Sequence, residues 1–346
     1  MEHLLEESTY LKNSSENKNK MESDTVKNVS DTIFENIKKY THEEYQYINL
    51  MDTIIEQGHW EQGRNGRTKG VFGHSMRFSL QNGTIPILTT KKTAWKTCLK
   101  ELLWFIRGET DNRLLQEQGV HIWDANTTRE FLDSRGLPLM REGLIGPGYG
   151  YQWRNYNANY NCITGTKIVA DDDKEPDIYK ESITFKGVDQ LQQIIDQLKD
   201  PEQRTSRRLI MTAWNPCQLD KMALPPCHLL CQFNVHDGNK LSCTMYQRSI
   251  DVMLGQPFNI ASYSFLTHLL AKHCGLEAHE FIYFMGNCHI YEEHMEGAQT
   301  QRMREPFTFP TVKISQVRDN INDYEISDFE VTNYKSHDQI KMQMVA

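Results

Sequence analysis

The segment LPPCHLLCQFNVHDGNKLSCTMYQRS, residues 224–249, contains two apolar stretches on either side of an Asp-Gly pair. Residues 229–235 and 241–247 have the composition of β-strands, and Asp-Gly at positions 237–238 is a favoured hairpin turn. The segment therefore predicts an antiparallel hairpin, which fixes the neighbours of every residue at its two ends.

Cys227 stands at the entrance to the first predicted strand, directly after two prolines. Pro225 and Pro226 each fix φ and lack a backbone N–H, so they lead the chain into extended structure. Antiparallel pairing should then bring Arg248, at the end of the second strand, close to Cys227. Since a nearby positive charge favours the reactive thiolate, we interpret Cys227 as a candidate nucleophile. A cysteine without this context would more often be a small core residue.

The composition indicates a soluble globular protein. The chain has 346 residues and a formal net charge of −8 at pH 7, and this length allows one large domain or two of average size. The acidic balance and the lack of a long basic block argue against a general membrane or nucleic-acid surface, so no DNA binding is expected. No apolar run could span a bilayer and the first residues lack a signal-peptide pattern, which predicts a cytoplasmic protein.

The eight cysteines show no CxxC spacing, and the histidines show neither HExxH nor paired Cys/His spacing. Neither a structural zinc site nor a redox dithiol is indicated, and we expect no metal. Free thiols in a reducing compartment are the simplest account of these cysteines.

Polarity divides the chain into segments. Residues 1–41 are rich in Asn, Ser, Lys and Glu, which predicts a flexible N-terminal extension. Residues 42–346 are expected to form a single catalytic domain, with a polar surface insertion near residues 155–186 that contains an acidic cluster.

Apolar periodicity predicts three helices. Residues 47–55 repeat apolar side chains at helical spacing, and KELLWFI, residues 100–106, is typical of a largely buried helix. A third helix should present Val188 and apolar residues up to Leu198 on one face.

Several arginines stand beside hydroxyl side chains or in a Gly-rich turn. Arg207 and Arg208 follow a serine, Arg248 precedes Ser249, and Arg64 lies in the turn GRNGRT. Guanidinium groups bind phosphate oxygens in pairs and a serine hydroxyl adds a hydrogen bond, so this set suits a phosphate monoester. Each arginine taken alone would more often be an ordinary surface charge.

Further polar residues occur in apolar surroundings. Glu101 lies in an apolar helix, where burial would raise its pKa into the range useful for proton transfer, unless it projects from the exposed side. Asn259 offers a donor and an acceptor that match the N3 and O4 edge of uracil, although an asparagine before a helix is more often an N-cap. His289 and Tyr291 would share one side of a strand and could hold a sugar hydroxyl.

The chain closely resembles the folate-dependent thymidylate synthase family over nearly everything from residue 43 to residue 346. Several long blocks occur in the order typical of the family, which makes a chance match implausible. The blocks are TTKK (89–92), ELLWFIRG (101–108), IWDAN (122–126), GPGYGYQWR (146–154), SRRLIMTAWNP (206–216), MALPPCH (222–228), YQRSIDVMLGQPFNIASY (246–263), GNCHIY (286–291) and IKMQMVA (340–346).

The resemblance implies an α+β fold with a large twisted mixed β-sheet flanked by helices, and two such sheets packed face to face in a homodimer. It implies reductive methylation of dUMP to dTMP, in which 5,10-methylenetetrahydrofolate gives both the one-carbon unit and a hydride and leaves as dihydrofolate. The Cys227 thiolate would add to C6 of the uracil and make C5 a nucleophile. Glu101 and Tyr149 would take part in the proton transfers.

The resemblance also assigns the dUMP site. Arg64, Arg248 and Ser249 would hold the phosphate, and Arg207 and Arg208 would reach it from the other subunit.

The remaining dUMP contacts are to the base and the sugar. Asn259 would read the pyrimidine, Gln247 would also bind dUMP, and His289 and Tyr291 would bind the 3′ hydroxyl of the deoxyribose. Asp251 would lie near both the base and the pterin and belongs to the implied catalytic set.

The implied folate site combines an apolar wall with a closing C-terminus. The lysine in TTKK would attract the glutamate tail, and the last residues would close as a lid that excludes water. The residues implied at this site are Lys91, Trp123, Asp251, Leu254, Gly255, Phe258, Met342 and Ala346.

The chain departs from the family pattern at four places. Arg64 lies in GRNGRTKG rather than RTGTGT, Asn287 replaces an aspartate, Gly148 stands where valine is common, and Gly297 stands where proline is usual. None of these changes removes a residue that the implied chemistry requires.

Two alternatives have different consequences. A pyrimidine hydroxymethylase on the same scaffold would add water instead of hydride, but an aspartate in place of Asn259 would better match cytosine. A nucleotide-binding or RNA-binding protein without turnover would not need Cys227 and Glu101, and RNA binding as a second role stays open.

Overall fold

The computed structural model describes residues 42–63, 65–168 and 186–344. The chain divides into two units, Met1–Tyr45 and Gln46–Ala346. The predicted extension, residues 1–41, lies outside the described residues. The elements below belong to the second unit, apart from the first residue of the first helix.

A six-stranded mixed sheet forms the centre of the second unit. Its strand order is β1-β2-β6-β5-β4-β3, and β5 and β6 run parallel while the other neighbours are antiparallel. Strands β7 and β8 pair separately. The strands are β1 (His59–Gly63), β2 (Gly66–Ser79), β3 (Ile210–Thr212), β4 (His228–His236), β5 (Lys240–Asp251), β6 (Glu277–Tyr291), β7 (Thr311–Ile314) and β8 (Phe329–Thr332).

Helices flank this sheet and complete the predicted α+β fold. The helices expected near residues 47–55 and 100–106 are confirmed. The α-helices of the described residues are α1 (Tyr45–Gln57), α2 (Trp95–Ile106), α3 (Arg113–Gln116), α4 (Arg129–Ser134), α5 (Gly150–Asn155), α6 (Gln190–Lys199), α7 (Gly255–His273) and α8 (Met295–Arg302).

The third predicted helix starts later than expected. The Asp189 side chain accepts a hydrogen bond from the Gln192 amide (2.9 Å), which caps α6 at its N-terminus. Val188 therefore lies outside the helix, pairs with Tyr156 in a β-bridge and is 42% exposed. Its predicted place on the buried helix face was wrong.

The predicted hairpin is confirmed. Strands β4 and β5 pair antiparallel, and Asp237 and Gly238 both have positive φ (48° and 84°), the geometry that a tight hairpin turn requires. The Arg248 amide donates to the Cys227 carbonyl (2.9 Å), so the two ends of the hairpin meet as expected.

Helix α7 connects the parallel strands β5 and β6 and packs against both, while α2 contacts its other side. Because it is covered on several sides, α7 is buried over most of its length, as expected of a helix that is apolar all round. The sheet contributes Phe233, Met245, Phe281 and Tyr283 to this core, each fully buried. Burial of such side chains contributes about 1.5–3 kcal/mol each.

The opposite face of the sheet is open and apolar. Ile210, Leu230, Tyr246 and Phe284 lie on neighbouring strands on this face and are 46%, 39%, 38% and 45% exposed. We call these four residues the open sheet face. An exposed group of large apolar side chains on a sheet commonly marks an interaction surface.

The described part of the predicted insertion is anchored to the folded unit. Ala158 is fully buried, and the Tyr151 hydroxyl donates to the Asn159 carbonyl (3.0 Å). Residues 169–185, including the acidic cluster, lie outside the described residues, so the insertion as a whole stays a prediction.

Candidate active site

One cavity of about 500 Å³ collects most of the residues that the sequence singled out. Residues of β4, β5 and β6 line one side, which we call the strand wall. The lining residues are Glu101, Ile122, Trp123, Tyr149, Leu224, Cys227, His228, Gln247, Ser249, Ile250, Asp251, Leu254, Gly255, Phe258, Asn259, Tyr291, Met342 and Met344.

Cys227 lies where the Pro-Pro bend enters β4. The Arg248 guanidinium holds this bend, donating from Nε to the Pro226 carbonyl (2.8 Å) and from Nη2 to the Pro225 carbonyl (2.9 Å). Its Nη2 lies 3.7 Å from the Cys227 Sγ, which confirms the predicted neighbourhood. Burial raises the pKa of the thiol, and the charge of Arg248 and the hydroxyl of Tyr149 oppose this rise.

Tyr149 is fixed in an unusual conformation beside this thiol. Its φ of 42° and ψ of −107° lie outside the regions that side-chain-bearing residues prefer. Its hydroxyl accepts from the Cys227 amide (3.0 Å), and its ring stacks on Phe105 at a centroid distance of 5.0 Å. Burial raises the pKa of Tyr149 well above its usual range, so the hydroxyl stays protonated. The strained turn therefore delivers a hydroxyl to the nucleophile.

Glu101 reaches the cavity from α2. Its carboxylate accepts from Trp123 Nε1 (2.8 Å), and Trp123 in turn lines the cavity. Burial raises the pKa of Glu101 to about 7, and the Trp123 hydrogen bond only partly opposes this rise. The expectation of a raised pKa is confirmed, and the alternative of a fully exposed side chain is wrong. Glu101 can therefore exchange a proton near neutral pH.

His228 is a cavity residue that the sequence reasoning missed. It follows Cys227 directly, its Nδ1 lies 2.8 Å from the Tyr263 hydroxyl, and its ring contacts the Tyr149 ring at a tilt of 36° with centroids 4.3 Å apart. Burial lowers the pKa of His228 to about 3, so the imidazole is neutral at physiological pH. Its place inside the LPPCH motif was a signal for a role beside the thiol.

Asn259 lies on the cavity wall inside α7, which begins at Gly255, so the N-cap alternative is wrong. Its Nδ2 donates to Gln247 Oε1 (2.8 Å), and the Tyr283 hydroxyl donates to the same oxygen (2.5 Å). Gln247 Nε2 donates to the Ser249 carbonyl (2.9 Å). The sequence reasoning missed Tyr283, which is fully buried behind the cavity wall.

The ends of β5 and β6 bring further predicted residues together. Asp251 pairs with His289, and Asp251 Oδ1 accepts from the Met253 amide (2.8 Å) at the turn into α7. The rings of His289 and Tyr291 lie on one side of β6, with centroids 5.3 Å apart. Burial lowers the pKa of His289, and the charge of Asp251 opposes this effect.

Asn287, the residue that departs from the family pattern, lies beside His289. Its Oδ1 is 2.7 Å from His289 Nδ1, so it accepts the proton on that nitrogen. The amide therefore fixes the orientation of the ring, which an aspartate could also do.

The predicted folate residues are only partly brought together. Trp123, Leu254, Gly255, Phe258 and Met342 line the cavity. Trp123, Leu254, Phe258 and Met342 make much of the lining apolar beside polar groups such as Glu101, which suits a flat aromatic ligand next to a polar one.

Lys91 is not part of the cavity wall. It is 6% exposed and its ammonium donates to the Met253 carbonyl. Burial lowers its pKa to about 8, Asp251 raises it and Arg304 lowers it. A direct contact with a ligand in the cavity would require this side chain to leave its carbonyl partner.

The C-terminal segment, residues 337–344, covers one side of the cavity. His294 Nε2 donates to the Gln343 carbonyl (2.7 Å), and Arg304 donates to the Asp338 carbonyl (2.8 Å). A Cβ atom at Gly297 would lie 3.2 Å from side-chain atoms of both Ile340 and Met342. Met344, which the sequence reasoning missed, joins Met342 at the cavity.

Two predicted residues, Arg207 and Arg208, lie away from the cavity, and two others are not among the described residues. Arg207 and Arg208 are exposed and are not part of the cavity lining. Their loop borders the open sheet face, because Gln232 on β4 donates to the Arg207 carbonyl (3.0 Å). Arg64 and Ala346 lie outside the described residues.

The described residues offer neither a metal site nor a membrane-spanning helix. No group of three or more His, Cys, Asp or Glu side chains there is placed to hold a metal ion. Over the same ranges, no helix combines the length and the apolar character needed to cross a membrane.

A family model described as "Thymidylate synthase" matches residues 45–346 of the chain. Curated relatives agree with this match. The chain is 49% identical over 316 residues to a protein of Plasmodium berghei named "Bifunctional dihydrofolate reductase-thymidylate synthase". The matched region covers 91% of the chain and 50% of that relative.

A protein of the same name from Leishmania major is 45% identical over 305 residues, covering 88% of the chain and 55% of the relative. A "Probable thymidylate synthase" of Schizosaccharomyces pombe is 47% identical over 317 residues, covering 87% of the chain and 47% of the relative. The chain thus spans about half the length of these relatives.

Proposed function

The chain belongs to the thymidylate synthase family, and on that premise we propose that its cavity carries out the reductive methylation of dUMP to dTMP. The observation that carries this proposal is the convergence of Cys227, Glu101 and Asn259 on one cavity that also has an aromatic and aliphatic wall. The donor is 5,10-methylenetetrahydrofolate, which when bound supplies the one-carbon unit and the hydride and leaves as dihydrofolate.

Cys227 acts as the nucleophile. Its Sγ forms a bond to C6 of the uracil, and the electrons of the C5–C6 double bond move to C5, which then takes up the one-carbon unit. The Arg248 guanidinium, 3.7 Å from Sγ, stabilises the thiolate that burial disfavours. C5 loses its proton, and Sγ leaves C6 as the C5–C6 double bond re-forms, so the thiolate is regenerated.

Glu101 and Tyr149 handle protons around the uracil ring. With a pKa of about 7, Glu101 is protonated in roughly half of the molecules at neutral pH, so it can give or take a proton. The Tyr149 hydroxyl is held by the Cys227 amide next to the reacting carbons. Both groups lie against apolar side chains, which keep bulk water away from them.

Polar side chains bind dUMP. Asn259 reads the N3 and O4 edge of the uracil, since its amide offers both an acceptor and a donor. His289 and Tyr291 hold the sugar hydroxyl, and Arg248 and Ser249 bind the phosphate together with Arg64. Asp251 orders the turn into α7 beneath the base.

The functional unit is a homodimer that pairs the open sheet faces of two copies. Burying four large apolar side chains per copy supports this assembly. Arg207 and Arg208 border that face, and each copy would extend them to the phosphate in its partner's cavity. A single catalytic domain over residues 42–346 and a cytoplasmic location belong to the same proposal.

The decisive experiment incubates the purified chain with dUMP and 5,10-methylenetetrahydrofolate. We expect dihydrofolate, followed by its absorbance, and dTMP, identified by mass spectrometry, in equal amounts. Hydroxymethyl-dUMP without dihydrofolate would instead identify a hydroxymethylase, and nucleotide or RNA binding without any product would identify a binding protein.

A further inference from the structure

A buried chain of hydrogen bonds lies behind the base-reading residue. Tyr283 and Asn259 both donate to Gln247 Oε1, at 2.5 Å and 2.8 Å. Tyr283 is fully buried and Gln247 is 1% exposed, so water does not compete for these groups. Tyr283 lies on β6, and Gln247 lies on the neighbouring parallel strand β5.

The Gln247 amide has one favourable orientation. Its Nε2 donates to the Ser249 carbonyl (2.9 Å), so a flipped amide would place its oxygen against that carbonyl oxygen. A flip would also remove the acceptor of the Tyr283 hydroxyl, and among the described residues this hydroxyl has no second acceptor. A buried donor without a partner is costly, so the tyrosine fixes the amide.

The fixed Gln247 oxygen in turn determines how Asn259 faces the cavity. Asn259 Nδ2 must point toward Gln247, which leaves Oδ1 and the second amide hydrogen for a ligand. Burial raises the pKa of Tyr283 well above its usual range, and the Asn259 amide opposes that rise, so the phenol stays a hydrogen-bond donor. In the reverse orientation, Asn259 Oδ1 would face the Gln247 oxygen.

The orientation of Asn259 decides which pyrimidine it matches. Uracil presents a donor at N3 and an acceptor at O4, whereas cytosine presents an acceptor at N3 and a donor at N4. Turning the asparagine amide by half a turn would exchange its donor and acceptor and so exchange the preferred base.

We propose that Tyr283 is a positioning residue that makes the cavity select uracil over cytosine, by fixing Gln247 and through it Asn259. The inference rests on the proposed function and extends it to a residue that does not touch the nucleotide. The alternative is that Tyr283 only fills the core between Met76 and Met245, its partners on the neighbouring strands.

The test compares the binding of dUMP and dCMP to the full chain and to Tyr283→Phe by titration calorimetry. Phenylalanine keeps the ring and removes the hydroxyl. We expect the ratio of the dCMP Kd to the dUMP Kd to fall about tenfold, as loss of one buried hydrogen bond of roughly 1.4 kcal/mol predicts. The KM for dUMP should rise while kcat changes less.

Tyr324→Phe is the matched control. Tyr324 is also fully buried, and its hydroxyl accepts from the Arg318 amide (3.2 Å) outside the cavity lining. The control should lower the melting temperature without changing the binding ratio. An unchanged ratio in folded Tyr283→Phe, or an equal fall in Tyr324→Phe, would overturn the proposal.

Gln247→Met tests the same chain of hydrogen bonds without altering the tyrosine, in case Tyr283→Phe fails to fold. It removes the acceptor that Tyr283 and Asn259 share, so the ratio of the dCMP Kd to the dUMP Kd should fall at least about tenfold. A ratio equal to that of the wild type would overturn the inference. The wild-type assay separates the two proposals. A wild-type chain that makes no dTMP contradicts the proposed function. An active wild type whose Tyr283→Phe variant keeps the wild-type ratio of the two Kd values contradicts only this inference.

Discussion

The strand wall and the C-terminal segment enclose the same cavity but are held in different ways. Strands β4, β5 and β6 hold their residues through long ladders of backbone hydrogen bonds, with one register shift in each pairing, between His228 and Leu230 and between Leu241 and Ser242. Residues 337–344 form no helix or strand and depend on contacts such as that of His294 with the Gln343 carbonyl. The reacting groups thus have a rigid support, and the cover has a support that separate side chains can release.

This difference suggests a division of work. Groups that must meet a reacting carbon within a few tenths of an ångström lie on or directly before regular elements, Cys227 before β4 and Glu101 on α2, since a rigid element keeps their geometry. A segment that admits a ligand and then excludes water is better attached weakly. Substitutions in the strand wall should therefore affect kcat, and substitutions around the C-terminal segment should affect the folate KM.

Cys227→Ser should have the largest effect and tests the nucleophile at the entrance to the strand wall. A serine hydroxyl is a much weaker nucleophile at neutral pH, so kcat should fall by at least about 1000-fold. Because the shape of the cavity is kept, dUMP should still bind with a Kd near that of the wild type. Steady-state kinetics and calorimetry measure the two quantities.

Cys217→Ser is the control for this variant. Cys217 is exposed in a loop and is not part of the cavity lining. Its replacement should leave kcat unchanged. Turnover by Cys227→Ser at more than a few per cent of the wild-type rate would remove Cys227 from the mechanism.

Glu101→Gln should lower kcat by about 100-fold or more, because the amide cannot exchange a proton. It should also change the pH dependence of stability. The folded pKa of Glu101 is about 7 against 4.5 for an unperturbed glutamate, so the native state binds more protons than the unfolded state between these values. Wild-type stability should therefore decrease as pH rises from 4.5 to 7.

Glutamine lacks this titration. The free energy of unfolding of the variant, relative to that of the wild type, should therefore increase between pH 5 and pH 8 by on the order of 1–3 kcal/mol. Urea unfolding at pH 5 and pH 8 measures the difference. An equal difference between variant and wild type at the two pH values would show that Glu101 does not titrate near 7.

The strand wall was predicted from the sequence more completely than its surroundings. Alternating apolar residues and an Asp-Gly turn were enough to predict the β4–β5 hairpin and to bring Arg248 to Cys227, because antiparallel register follows from the turn. The period of two along a strand likewise placed His289 and Tyr291 on one side. These are consequences of local geometry.

Contacts that depend on distant pairings were not predicted. The bond between Tyr283 and Gln247 exists because β6 returns parallel to β5 after α7, and no short-range pattern encodes that register. Likewise, the burial of Lys91 beneath Met253 reflects packing between separate segments. Pattern rules describe single elements, whereas these contacts require knowledge of which elements are neighbours.

His294→Leu tests the support of the C-terminal segment. Leucine fills similar space in this buried position but cannot donate to the Gln343 carbonyl. The folate KM should rise about five- to tenfold, the effect expected from loss of one hydrogen bond, while the dUMP Kd stays unchanged. His294→Gln, which keeps a donor, should show a smaller change. A rise in the dUMP Kd of the same size would contradict the separation of the two regions.

Gly297→Ala should have the smallest effect and tests how closely the C-terminal segment packs. Alanine favours helix α8 by roughly 0.5–1 kcal/mol, so stability should not fall. Its Cβ would lie 3.2 Å from both Ile340 and Met342, so these side chains must shift by a few tenths of an ångström. Because Met342 is flexible, we expect only about a two- to fourfold rise in the folate KM.

Thr300→Ala separates the effect of helix propensity from that of the contact. Thr300 lies on the exposed side of α8, so its replacement also favours the helix but should leave the folate KM unchanged. If both variants changed the KM alike, the helix itself would control closure of the cavity. If only Gly297→Ala changed it, the space between Gly297 and the side chains of Ile340 and Met342 would determine how tightly the C-terminal segment closes. The strand wall and its chemistry would be the same in this variant as in the wild type.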